Sequence, residues 1–167
     1  MRLRESVEIA ADADAVWAVI ADPGRVLHFM SGVTRWEVLS PEPTGMGARY
    51  RMLMRVGSAE VGSLIEVVEF SPERDLAWTS VTGVDQRARW RLRERGADPE
   101  HPRTHAEFRL SYGVAGAGVA GWLAERLGAP QVRGHLRRSL AQLKRQVEYE
   151  QLRLAAAARR AEKAARA

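Results

Sequence analysis

Acid–base, nucleophilic or metal chemistry near neutral pH needs side chains that titrate or ligate there, and this chain has few of them. It contains no cysteine, so disulfides, thiolate metal sites and a thiolate nucleophile are excluded. Its four histidines are His28, His101, His105 and His135, and no metal centre is expected from them. His135 and Ser139 stand four residues apart, one helical turn, beside an apolar stripe. His135 is the best candidate for a general base, but no carboxylate is identified to orient it. Its alternative role is a partly exposed helix residue that contacts backbone or water. Glu66 and Glu69 break strict strand alternation, so a bulge would turn one inward; the solvated face is the expected place for both. The glycines between Gly113 and Gly118 lack a following Lys-Ser/Thr pair and do not form a phosphate loop. No catalytic residue is assigned and no cofactor is implied.

These groups belong to a chain of 167 residues, 46% of them apolar, which suits one folded domain. The first residues lack the apolar centre of a signal peptide, and no stretch approaches the roughly 18 apolar residues of a membrane span. A cytoplasmic location is the expectation. The net charge of +5 is unevenly placed. Residues 133–167 hold ten basic and three acidic side chains, whereas the rest of the chain is nearly neutral. Nucleic-acid binding is therefore not expected of the body and stays open for the C-terminal tail.

The elements that must position the side chains are legible as periodicities. Leu3, Glu5, Val7 and Ile9 alternate with Arg4, Ser6 and Glu8 in a first strand. Asp12 or Asp14 caps a helix over residues 15–21, and Pro23 opens a second short one through Phe29. Strand patterns follow over 33–39, 48–56, 60–70, 76–82, 86–95 and 104–112. In the fifth of these, Ala88, Trp90 and Leu92 face one way while Arg87, Arg89, Arg91 and Arg93 face the other. Such alternation implies an antiparallel sheet with one wet face. A polar turn over 96–103 and a glycine-rich connection over 113–121 separate the last elements. A short helical piece over 122–127 is expected to end at Gly128. Pro130 then opens a long helix, with Val132, Leu136, Leu140, Leu143 and Val147 on one stripe. Beyond about residue 150 the stripe fades into an alanine-rich basic helix. This divides the chain into a domain over 1–150 and an extension over 151–167.

Three stretches carry a family resemblance. They are Val7-Glu8-Ile9-Ala10-Ala11 with Val16-Trp17 and Asp22-Pro23, then Trp78 to Gly83 with Trp90, and Leu140 to Lys144 with Val147-Glu148. With the element order, they make the chain resemble the SRPBCC superfamily of START-like lipid carriers and birch-pollen-allergen-type proteins, and within it the polyketide cyclase/dehydrase group. The resemblance implies an α+β helix-grip fold. In that fold a curved antiparallel sheet of about seven strands wraps around a long C-terminal helix, with two short helices after the first strand. It also implies a cavity between sheet and helix. The side chains facing it would be Met52, Met54, Ile65, Val67, Trp78, Trp90, Leu92, Phe108, Leu110, Leu136 and Leu140, with His135 and Ser139 at its helical wall. Pattern alone equally describes an ordinary core. His28 and Phe29 would border the entrance. Ser80 and Thr82 cannot be phased to a face, and Tyr50 and Tyr112 fall on the concave side.

The function that follows is binding or carriage of a hydrophobic small molecule, a lipid, acyl chain or polyketide. The alternatives are a cyclase or dehydrase acting on such a molecule, or an interaction module. In the last, the basic tail would engage nucleic acid, an acidic membrane or another protein, and a homodimer is left open.

Overall fold

The computed structural model describes residues 1–96, 101–113 and 118–166, with only the backbone given for 118–129. The turn expected over 96–103 and the connection over 113–121 lie partly outside the described residues. The chain runs β1 (Arg2–Ile9), α1 (Ala13–Ile20), α2 (Val26–Phe29), β2 (Val33–Val38), β3 (Arg49–Val56), β4 (Ala59–Ser71), β5 (Asp75–Gly83), β6 (Asp85–Arg95), β7 (Arg103–Gly113) and α3 (Gly118–Ala165). The seven strands form one sheet in the order β1-β7-β6-β5-β4-β3-β2, antiparallel throughout. The sheet curls into a half-barrel, and α3 lies along its concave side.

Period-two sequence becomes a two-faced sheet through its register. One inner row runs Leu3, Leu110, Ala88, Trp78, Val67 from β1 to β4, and the next begins Glu5, Phe108, Trp90, Leu76. Strand bulges fall between Val33 and Arg35 and between Val67 and Glu69. Each adds a residue on one strand only, which bends the sheet and increases its twist. At the turn between β5 and β6, Gly83 has φ +87°, and a Cβ there would stand 2.3 Å from the Gly62 carbonyl oxygen. Only glycine fits that crossing.

The short helices close one end. The Asp12 carboxylate accepts from the Ala15 amide at 2.8 Å and caps α1, whose Val16, Val19 and Ile20 are buried. On α3 the stripe Val132, Leu136, Leu140, Leu143 and Val147 is buried as its spacing requires. Polar contacts fasten the helix beside that stripe. Lys144 Nζ donates to the Glu8 carbonyl at 2.6 Å, Glu148 accepts from the Ala10 amide at 2.8 Å, and Arg25 pairs with Glu150. Past Glu150 the helix continues into solvent, with Leu152 and Leu154 exposed.

One expectation is overturned. α3 is continuous from Gly118, with Pro130 inside it, instead of breaking at Gly128. Proline removes one backbone donor, and glycine and proline cost about 1 and 3 kcal/mol in a helix interior, but neither forbids helix on both sides. Among the described residues no helix is long and apolar enough to cross a membrane.

Leu140 is 3% exposed at the centre of the helix–sheet contact. Leu140→Ala should cost about 2–5 kcal/mol, read as a fall of several degrees in thermal midpoint. A shift of under about one degree would contradict this placement of α3.

Candidate functional site

The inner face is lined by rings in contact. Trp90 and Phe108 lie 4.4 Å apart between centroids, Phe108 and Trp78 5.8 Å, Trp78 and Trp36 5.9 Å, and Trp36 stacks on Tyr50 at 4.9 Å. Two cavities flank Trp78, each of about 20 Å³. One lies toward the short helices, where Phe29, Trp36, Tyr50, Val67 and Trp90 join Trp78. The other lies under α3, where Met30, Met52 and Met54 face Phe108, Leu136 and Ser139. A void of this size holds one water molecule.

The expected pocket residues sort by position. Met52, Met54, Trp78, Phe108, Leu110, Leu136 and Ser139 line the cavity under α3, and Val67, Trp78 and Trp90 line its neighbour. Ile65, Leu92 and Leu140 are buried in the surrounding core and line neither cavity. Phe29 is buried while His28 is exposed. Ser80 accepts from the Gln86 amide at 3.0 Å and so closes the β5–β6 turn; Thr82 is exposed. Glu66 and Glu69 both point outward, to Arg49 and Arg89. The Tyr50 hydroxyl donates to the Pro43 carbonyl at 2.8 Å, and its burial pushes its pKa up, opposed by Thr44.

Trp36 was not among the expected pocket residues. Strict alternation from Val33 sends it outward, but the bulge after Val33 resets the phase and turns both inward. An interior tryptophan in a short strand was the available signal. The indole N–H groups of Trp36 and Trp78 are buried, and neither finds a protein acceptor. Such donors are rare in native interiors, because leaving one unpaired costs about 1–3 kcal/mol.

His135, expected at the pocket wall, lines neither cavity and is half-buried beside Ser31 and Ser139, which line the one under α3. Its Nδ1 lies 3.1 Å from Ser31 Oγ and 3.0 Å from Arg138 Nη2. Guanidinium only donates, so Nδ1 accepts and the ring proton sits on Nε2. Arg138 Nε also reaches Ser31 Oγ at 3.2 Å, while Ser139 Oγ accepts from the Ser31 amide at 2.9 Å. Gly32 is required here, since its φ is +84° and a Cβ would stand 2.7 Å from the imidazole. Burial lowers the His135 pKa, Arg138 lowers it further, and the Arg55 backbone opposes both. His135 is therefore a neutral ring whose lone pair is already bonded, with no carboxylate among its contacts.

The curved sheet gripping one long helix defines the helix-grip class of START-like domains. The family model for polyketide cyclase/dehydrase and lipid transport proteins matches residues 1–148, and the chain belongs to that family. No curated protein matches the chain in sequence. Among solved structures, the TTHA0849 protein from Thermus thermophilus is 20% identical, with TM-score 0.73 over 88% of this chain and 97% of its own. The Zhui aromatase/cyclase from a Streptomyces species is 20% identical, with TM-score 0.67 over 89% and 93%. A START superfamily protein from Mycobacterium smegmatis is 14% identical, with TM-score 0.64 over 87% and 98%. At these identities the likeness is one of fold.

The lowered His135 pKa has a definite sign in stability. The unfolded chain, with a histidine pKa near 6.5, takes up the proton first on acidification. The stabilisation is complete above about pH 6.5 and is lost as pH falls through the lower folded value. Asp75 and Glu107 are buried and Glu148 is half-buried. Their cationic and hydrogen-bonding partners outweigh that burial and lower their pKa values, so their stabilisation is lost only at more acid pH. His135→Gln, which cannot titrate, should therefore lose less thermal midpoint than wild type between about pH 7 and 5.5. Parallel pH curves for the two proteins would contradict this.

Proposed function

We propose that this protein binds and carries a hydrophobic small molecule between the sheet and α3, an acyl chain, lipid or polyketide bearing at least one oxygen acceptor. The observation that carries the reading is the pair of orphan indole donors, Trp36 and Trp78, on the walls of the two cavities. A ligand carbonyl or hydroxyl would satisfy a donor that the protein leaves unpaired, while its apolar body would replace contacts among Met30, Met52 and Met54. Methionine suits such a wall, because its three rotatable bonds adapt to irregular shapes. Entry of a ligand larger than water displaces these side chains. Family membership supports a ligand of this class. Carriage is preferred to cyclisation because the His135 lone pair is occupied and no carboxylate is placed to orient the ring.

Native mass spectrometry of the purified protein and titration with a long-chain fatty acid test the reading. Micromolar uptake is expected, and Met54→Lys should abolish it with little change in expression or solubility. Trp78→Phe should weaken an oxygen-bearing ligand about tenfold while sparing a pure hydrocarbon probe, since one buried hydrogen bond is lost. Absence of any uptake at micromolar protein overturns carriage.

The exposed helix beyond Glu150 favours a second role for that segment alone. Arg153, Arg159, Arg160, Lys163 and Arg166 stand there against Glu162. We propose it as a basic extension outside the ligand domain, available to a polyanion or a second protomer. Deleting residues 153–167 should leave the thermal midpoint within about a degree, because the described residues of that segment are all exposed. Failure of the truncated chain to fold would place the segment in the core. Unchanged sedimentation and nucleic-acid binding at low salt would leave it a solvated tail.

A further inference from the structure

The outer face of the sheet carries an arrangement that ligand carriage does not use. Register places Arg4, Arg109 and Arg89 in one cross-strand row on β1, β7 and β6. The adjoining row is Arg2, Ser111 and Arg87. Like charges directly opposite one another destabilise a sheet, so the Arg4, Arg109 and Arg89 row needs an explanation. Part of it is Glu107, which is 2% exposed and pairs with both Arg4 and Arg109. Burial alone would raise its pKa, but the bonds from Arg109 and the charge of Arg4 bring it below the usual range. Glu107 thus stays ionised, fixes two guanidinium groups and cancels one of their charges. Glu69 cancels Arg89. Arg2 and Arg87 make no ion pair among the described residues. By contrast, Arg91 and Arg93, on the same face of β6, share Asp75.

These five arginines surround a groove of about 730 Å³, within the usual range of small-ligand sites. Its floor is sunk because Ala77, Thr79 and Ser111 are short. Val68, displaced by the bulge in β4, gives one apolar rim and is 48% exposed. Arg2 and Arg87 stand on β1 and β6 with β7 between them, about 9.6 Å apart at a strand spacing of about 4.8 Å, so a phosphate chain engages more of these arginines at once than one phosphate does. Guanidinium groups bind phosphate oxygens in a bidentate fashion.

The geometry points to a binding site for a small polyphosphate anion, a nucleoside polyphosphate or a free one, on the convex face of the sheet. The site is independent of the apolar interior. Ligand on the convex face meets Arg2 and Arg87, which take no part in the core, so their replacement tests binding without touching the fold.

The experiment is calorimetric titration of the full chain with inorganic triphosphate and, separately, with ATP at 150 mM salt. Wild type should bind at least one of them in the micromolar range. The double variant Arg2→Gln, Arg87→Gln should lose at least tenfold in affinity with an unchanged thermal midpoint. ATP binding more tightly than triphosphate supports a nucleoside polyphosphate resting on Val68, whereas triphosphate alone binding supports a free polyphosphate. No binding of either at 1 mM overturns the proposal. So does binding that the double variant leaves unchanged.

Discussion

The whole molecule depends on one constraint, that the concave face of a seven-stranded sheet must be covered by a single helix. A flat sheet of this width would expose its outer strands' inner faces, because one helix is only about 10 Å across. The sheet therefore has to curl. The bulges in β2 and β4 supply extra residues on one strand only, and large rings fill the space that the curl encloses. Trp78 sits where these requirements meet. It packs against Trp36 and Phe108 and lines both interior cavities. Packing a rigid indole at the middle of a curved wall leaves gaps that smaller flexible side chains close imperfectly. The cavities are thus a consequence of the curvature.

The same geometry explains how much the amino-acid sequence discloses. Strand periodicity reads directly as inner and outer faces, which is why Trp90, Leu92, Phe108 and Leu110 are recognisable as interior residues from their spacing. The long helix is equally legible, since its stripe from Val132 to Val147 matches the 3.6-residue period. What hides is whatever depends on a departure from periodicity. The inward turn of Trp36 follows from the bulge after Val33, and the outward direction of both Glu66 and Glu69 follows from the extra residue Val68. Proline and glycine misled in the opposite sense at α3, where a local preference for a break is overridden along a continuous helix. His135 was visible as a candidate from its place beside the stripe. Its partner Ser31 was not, because it reaches the ring from a loop more than a hundred residues away in sequence.

That loop contact also bears on the choice between carriage and catalysis. A general base needs a free lone pair at the reacting proton and a neighbour that stabilises the charge it acquires. Here the lone pair faces a guanidinium and a hydroxyl, and the adjacent cation opposes protonation. The arrangement suits holding the ring in place between β2 and α3 better than moving protons. The tightness at Gly32 agrees, since the imidazole fills the space that any side chain there would need.

The two faces of the sheet are consequently governed by different forces, and this separation makes two kinds of ligand compatible with one domain. Inside, the proposed ligand would meet apolar area and two unpaired indole donors, on which salt acts weakly. Outside, the arginine rows act through charge, which is screened over about 8–10 Å at physiological ionic strength. The strands between them carry alternate residues to each face without mixing the two environments. Ala88 and Leu110 point inward from the same strands that send Arg87, Arg89 and Arg109 outward. A substitution on one face therefore reaches the other only through the backbone. β6 and β7 share eleven paired positions along their length, so that backbone is the most firmly held part of the sheet. Charge can accumulate on the outer face because the inner face, through Trp90 and Phe108, holds these two strands in register against the repulsion.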